Sequence, residues 1–219
     1  MLISHSHKFI TVDIPKTGTC SRRLALEPLN IVDIIGAPQA TEKNPFEQHA
    51  SIQSAKQEFI KNQWPWLDYY KWIMCRNPWK RYFSFLNYFK GYREKFLRRD
   101  QAITWGKAQT NQGQICVDLF KNRSDAKVLK ILIKTHESQD YFYLDKDGEI
   151  IVDYIADFEN FSNEWNDFFN KINIDPPKIK YANQSNSFVD YLDVYSQELI
   201  DLVAEKEKHI IDLKKYDFK

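Results

Sequence analysis

The chain has 219 residues, 43% of them hydrophobic, enough for one substantial core, and a single domain over residues 1–219 is the expectation. Its 31 basic and 30 acidic residues leave a net charge of +1, so no global field draws it to nucleic acid or to an anionic membrane, and an anion-binding role must come from a local arrangement of positive groups. Three widely spaced cysteines, Cys20, Cys75 and Cys116, form neither a metal knuckle nor a C-x-x-C redox site, and no apolar run is long enough for a membrane span, so a soluble, cytoplasmic protein with free thiols and no metal is expected.

In chain order, residues 1–7 read as a terminal tail without the apolar core of a signal peptide. Residues 8–14 read as a strand, with Ile10, Val12 and Ile14 alternating with Thr11 and Asp13. A short turn over 15–19 leads into a helix over 21–26, which Pro28 limits. Strand, tight turn and helix make the βα unit of an α/β sheet. Residues 30–48 read as an irregular loop and 52–62 as a helix. Residues 70–75 are a second apolar strand, after which Asn77-Pro78 opens a long helix to about Arg98, with proline suited to a first helical turn. Residues 99–125 carry the weakest pattern and read as a variable insertion within the domain. A third strand is expected over 128–133.

Asp145-Lys146-Asp147-Gly148 reads as a hairpin turn before a strand over 150–155; its glycine comes too early for a calcium loop and no glutamate closes it. Phe158, Phe161, Trp165, Phe168 and Ile172 fall on one face of an amphipathic helix. A last helix is expected over 197–213. The many aromatic residues read as core fillers. The fold expected is α/β, a central and mainly parallel sheet flanked by helices.

Two strand–helix junctions carry chemistry. In Ile14-Pro15-Lys16-Thr17-Gly18-Thr19-Cys20-Ser21, Gly18 permits close backbone approach and unusual dihedrals, and the helix start points N–H groups at the same place. Lys16 adds a full charge, and Thr17, Thr19 and Ser21 add hydroxyls. These residues suit a phosphate cradle; they equally suit a plain turn with an exposed lysine. The NTPase loop needs its lysine after the second glycine, and here Lys16 precedes Gly18, so an ordinary ATPase loop is excluded. In Cys75-Arg76-Asn77-Pro78-Trp79-Lys80-Arg81-Tyr82-Phe83-Ser84, Arg76 stands at the carboxyl edge of a strand, where open α/β sheets bind ligands, and its guanidinium suits a phosphate. Ser84 follows about two turns up the helix. The bland alternative is a helix start with a basic surface.

Together, IPKTGTCS and RNPWKRYFS resemble the 5′-phosphosulfate loop and the 3′-phosphate motif of sulfotransferases that use 3′-phosphoadenosine-5′-phosphosulfate (PAPS). The branch resembled includes membrane-anchored carbohydrate sulfotransferases and bacterial relatives. The resemblance continues through DKDGEIIVDYIADFENF and IIDLKKYDF and spans residues 8–218. It implies a P-loop-like sulfotransferase fold and PAPS as donor, with no metal. It also implies transfer of the sulfuryl group to an acceptor hydroxyl, on a saccharide. By it Lys16 contacts the leaving phosphate and bridging oxygen, Thr17, Gly18, Thr19, Cys20 and Ser21 hold the 5′-phosphate, and Arg76 and Ser84 hold the 3′-phosphate. His49, in Glu47-Gln48-His49, resembles the base of several branches, since imidazole accepts a proton near neutral pH; Glu47 is the alternative. His5 and His7 fall on the tail, and His136 and His209 read as surface or half-buried helix residues. Cys20 departs from the hydroxyl or small residue common in relatives, and the anchor of Golgi members is missing. Two rivals remain: a P-loop-related nucleotide phosphotransferase and a non-catalytic anion- or glycan-binding module of the same fold.

Overall fold

The computed structural model describes residues 1–98, 107–179 and 190–219. Along the chain the elements are β1 (Leu2–Ser4), β2 (Phe9–Val12), α1 (Thr19–Leu26), β3 (Ile34–Ile35), α2 (Ile52–Lys61), β4 (Tyr70–Cys75), α3 (Pro78–Leu97), α4 (Lys107–Phe120), α5 (Asp125–Thr135), β5 (Tyr154–Asp157), α6 (Phe161–Lys171), α7 (Gln197–Lys206) and α8 (Lys208–Lys214). Contacts group them into two units, Met1–Asn77 with Glu137–Gln184, and Pro78–His136 with Ser185–Lys219.

The first unit holds a five-stranded sheet in the order β3-β1-β2-β4-β5. β2 runs parallel to β4, with Phe9 opposite Tyr70 and Val12 opposite Ile73. β4 runs parallel to β5, with Trp72 opposite Tyr154 and Cys75 opposite Asp157. β1 is antiparallel to both β2 and β3. The class is therefore α/β, but the sheet is mixed where a mainly parallel one was expected. The difference lies in residues 1–7: Leu2 and Ile3 are fully buried and pair as a hairpin with β2 instead of trailing as a tail. His5 packs too, its Nδ1 2.7 Å from the Tyr69 hydroxyl and its ring edge-on to Trp64.

One sheet face buries Leu2, Phe9, Trp72, Met74 and Ala156 against Ala25 and Leu26 of α1 and Phe161, Trp165, Phe168 and Phe169 of α6. The aromatic spacing expected of α6 thus faces the core. Ile3, Ile10, Val12 and Ile73 on the opposite face are buried as well. A sheet buried on both faces reads as near-continuous hydrophobic runs, and β2 and β4 do.

The second unit is helical. Trp79, Tyr82, Phe85 and Leu86 of α3 pack with Val128, Leu129, Leu132 and Ile133 of α5 and Leu199 and Val203 of α7. The strand expected over 128–133 is therefore a helix. Those four residues recur at helical spacing, and the Ser124 side chain caps the start by accepting the Lys127 N–H. Short apolar runs fit either element, and here packing on a helical face decides. The expected last helix breaks at Glu207, whose buried carboxylate accepts from Arg81 Nη1 at 2.8 Å and the Tyr82 hydroxyl at 3.0 Å.

The expected turn at 145–148 forms, with Gly148 N–H donating to Asp145 O and Gly148 at φ 82°. The strand after it starts late: Ile150 makes a single bridge to Leu144, and β5 begins at Tyr154. Of the expected insertion, residues 99–106 lie outside the described residues, and 107–120 are α4. Among the described residues, no helix is long and apolar enough to cross a membrane, and no group of three metal-ligating side chains gathers.

Candidate functional site at the carboxyl edge of the sheet

Because β2, β4 and β5 are adjacent and parallel, their carboxyl ends meet at one edge of the first unit. The backbone after each turns into a short polar segment: Asp13–Gly18 after β2, Arg76-Asn77 after β4, and Phe158-Glu159 after β5. That edge is where open α/β sheets place ligands.

The loop after β2 is drawn tight on one acceptor. Thr17 and Thr19 both donate their hydroxyls to the Ile14 carbonyl, at 2.9 and 3.2 Å. The two side chains expected to donate to a ligand thus close the loop instead. Lys16 sits at φ 71° and Gly18 at φ 76°, so two residues within one turn take left-handed backbone. For a lysine this region is uncommon and marks a strained position. Gly18 is required twice over, since a Cβ there would lie 2.7 Å from the Phe161 ring. α1 begins directly afterwards, with Arg22 N–H reaching Gly18 O at 3.1 Å and no side chain capping the start. Its first-turn amides and its dipole therefore face the loop. Cys20 is exposed on this turn, while Ser21 is buried.

Beneath the loop, Asp13 is fully buried and accepts from the Met1 amino group at 2.8 Å, whose pKa burial lowers to about 6, and from Arg22 Nη2 at 3.3 Å and Arg23 Nη2 at 2.7 Å. Burial alone would raise its pKa; the amino group, Arg22 and Arg23 outweigh that and hold it below the usual carboxylate range. The Asp13 carbonyl accepts from His49 Nδ1 at 2.6 Å. A carbonyl oxygen only accepts, so Nδ1 carries the proton and Nε2 is the basic nitrogen. Desolvation of its inner edge pushes the His49 pKa below 6.5, against the contrary pull of the Asp13 carbonyl and carboxylate. The ring is neutral at pH 7. Glu47 is exposed, as His49 is, and its backbone bridges to Ala37.

Arg76 is held by backbone, side-chain and ring contacts within the unit. Its backbone N–H donates to Gln139 Oε1 at 2.9 Å, and its carbonyl accepts from Gln139 Nε2 at 2.8 Å. Nη1 donates to the Lys16 carbonyl at 3.1 Å. The guanidinium lies 4.5 Å from the centre of the Phe158 ring. Asn77 N–H is taken by the Glu159 carboxyl, at 3.2 and 3.1 Å. The structure therefore brings the two motifs into contact, backbone of one to side chain of the other. The Lys16 ammonium, short of water and near the Arg76 charge, has its pKa lowered from 10.5 to about 8, with a small opposing pull from Cys20. Two desolvated cations held side by side destabilise the free protein and suit an anion between them.

Ser84 lies half-buried on α3 in the second unit, joined to Arg76 through the Asn77-Pro78 step of the chain. Gln139, Phe158 and Glu159 belong to the edge and were not singled out from sequence. Phe158 counts there only as part of an apolar stripe, and nothing local marks Gln139. The rule that ligands gather at strand carboxyl ends is the signal that reaches Phe158 and Glu159, once β5 is known to end at Asp157. No protein-family model, no curated protein and no solved structure matches the chain.

Proposed function

We propose that the chain is a PAPS-dependent sulfotransferase with a P-loop-like fold, transferring a sulfuryl group to an acceptor hydroxyl on a saccharide. The observation that carries this reading is the Arg76 to Lys16 hydrogen bond. It joins a strand–loop–helix cradle to an arginine on the neighbouring parallel strand, and so sets two cations at one sheet edge.

In this reading the donor supplies an activated sulfuryl group, and the chain supplies position, charge and a proton acceptor. The α1 amides and Lys16 hold the 5′-phosphate side. Arg76 holds the 3′-phosphate that separates this donor from ATP. His49 Nε2 takes the acceptor hydroxyl proton as that oxygen bonds to sulfur and the bond from sulfur to the bridging oxygen breaks. Lys16 meets the charge that builds on the departing bisphosphate. The loop has no lysine after its glycine, which sets this reading above a nucleotide phosphotransferase.

The test is calorimetric binding of adenosine 3′,5′-bisphosphate and AMP to wild type and Arg76→Ala, alongside turnover of PAPS with a panel of saccharides. Arg76→Ala should weaken the bisphosphate by about 1.5–3 kcal/mol, the worth of one charge-assisted contact, and leave AMP nearly unchanged. Equal losses for both ligands, or preference for ATP, would sink the reading. Binding without turnover on any acceptor would leave an anion-binding module.

A further inference from the structure

We infer that Gln139 is a positioning residue for anion recognition: its side-chain amide holds the Arg76 backbone and so pre-sets the guanidinium for a phosphate. This rests on the donor reading above only for the identity of that phosphate.

β4 keeps its ladder with β2 as far as Ile73 opposite Val12, and with β5 as far as Cys75 opposite Asp157. Arg76 is the first residue past both, and there a side chain continues the pairing. Gln139 Oε1 accepts the Arg76 N–H at 2.9 Å, and Gln139 Nε2 donates to the Arg76 carbonyl at 2.8 Å. A backbone N–H only donates and a carbonyl only accepts, so the two bonds also settle which end of the amide is which. Arg76 thus exchanges both of its backbone bonds with a single partner, as a hydrogen-bonded pair of antiparallel strands does. That exchange fixes the backbone dihedrals of Arg76 and the direction in which its side chain leaves the edge.

Gln139 is itself anchored. It is fully buried, and its carbonyl accepts the Phe142 N–H at 3.1 Å, closing a turn whose Phe142 and Tyr143 are buried as well. At the other end of the arginine, Nη1 donates to the Lys16 carbonyl at 3.1 Å, and the guanidinium lies 4.5 Å from the centre of the Phe158 ring. The same ring packs on the cradle, since a Cβ on Gly18 would lie 3.1 Å from it. Arg76 is therefore held at root and head alike before any ligand arrives. A long side chain that must be ordered during binding costs affinity, and one ordered beforehand does not. Gln139 carries no charge and acts on the anion through the residue whose backbone it holds.

The experiment is calorimetry on the full chain with adenosine 3′,5′-bisphosphate and AMP as probes, comparing wild type with Gln139→Met. Methionine keeps the length and the burial and gives up the paired bonds. The variant should bind the bisphosphate roughly three- to tenfold more weakly, the range for ordering one long side chain, and AMP as wild type does. Nitrogen-15 relaxation of the Arg76 Nε–H in the ligand-free protein reads the same cause directly. Its order parameter should be about 0.85 in wild type, as in rigid backbone, and below about 0.6 in the variant. Unchanged bisphosphate binding in Gln139→Met overturns the inference. Equal weakening of both ligands also overturns it, because Gln139 then serves only the fold of the edge. If the variant does not fold, wild type decides: an Arg76 head that is mobile when free and ordered by ligand overturns the inference, and one ordered in both states upholds it. A wild type that binds the bisphosphate no better than AMP overturns the donor reading, and the order parameters of the free proteins then decide the inference by themselves.

Discussion

Lys16 carries a charge that the folded chain holds at a cost. Its pKa falls from 10.5 to about 8, a difference on the order of 3 kcal/mol between charged and neutral forms, set by desolvation and then by Arg76. Lys16→Met keeps the stem and removes the charge, so it should raise the melting midpoint of the ligand-free protein. The same variant should lower single-turnover sulfuryl transfer by about 10²–10³, the usual worth of a preorganised electrostatic group. A variant that is both less stable and fully active would show that the ammonium serves the fold. His49 makes a separable case. Held as the Nδ1–H tautomer on Asp13 O and with its pKa below 6.5, it is a neutral base throughout the neutral range. The pH–rate profile should be flat through pH 7 and fall on an acid limb below the ordinary histidine range. His49→Ala should cost roughly a hundredfold in turnover and remove that limb, while Glu47→Gln leaves it in place. A limb that survives in His49→Ala and vanishes in Glu47→Gln would transfer the role to Glu47.

At the scale of elements, the turn between β2 and α1 depends on Gly18. Alanine there must adopt φ 76° and must move the Phe161 ring, which a Cβ would approach to 2.7 Å. The left-handed backbone alone costs about 1–2 kcal/mol, and displacing an aromatic ring of the α6 core adds to it. Gly18→Ala should therefore lower the unfolding free energy by at least that amount, read by urea denaturation, and weaken bisphosphate binding further; a neutral effect on both would show that the turn re-forms.

This turn was legible in the sequence because strand alternation, glycine and helix start are local signals, and the same holds for β4, the start of α3 and the stripe of α6. The strand expected over 128–133 was not, because six apolar-rich residues fit either period until a partner face chooses. β1 was missed because three residues give no period to read. Of the candidate site, Lys16, Gly18 and Arg76 could be named from residue type and junction, and His49 from the family resemblance. Gln139 and Glu159 could not, since Gln139 is placed by hydrogen bonds to an Arg76 backbone 63 residues away and Glu159 by a parallel register between strands some eighty residues apart.

Over the whole molecule, an anion at this edge should act as a pH-dependent stabiliser. Between pH 8 and 10.5 the unfolded chain binds the Lys16 proton and the folded chain does not, so the stability of the ligand-free protein rises with pH through that window. Below pH 8 the penalty is present in full, and a bound anion relieves it. The rise in melting midpoint given by adenosine 3′,5′-bisphosphate should thus be larger at pH 7 than at pH 9.5. An equal rise at both would mean that the anion does not sense Lys16.

The order of the chain also sets when such a site can exist. Lys16 and Arg76 are made early, but Gln139, which holds the Arg76 backbone, and Phe158 and Glu159, which wall its side chain and its neighbour, are made after the whole of 78–136. At ordinary translation rates the gap from Arg76 to Phe158 takes roughly ten seconds. During that interval the nascent chain carries both cations with only the Lys16 carbonyl to hold the second, and the β5 side of β4 waits for a non-local partner, the slow kind of contact to form. A ribosome-bound chain stalled at residue 136 should not retain the bisphosphate, and one stalled far enough for residue 171 to have left the exit tunnel should.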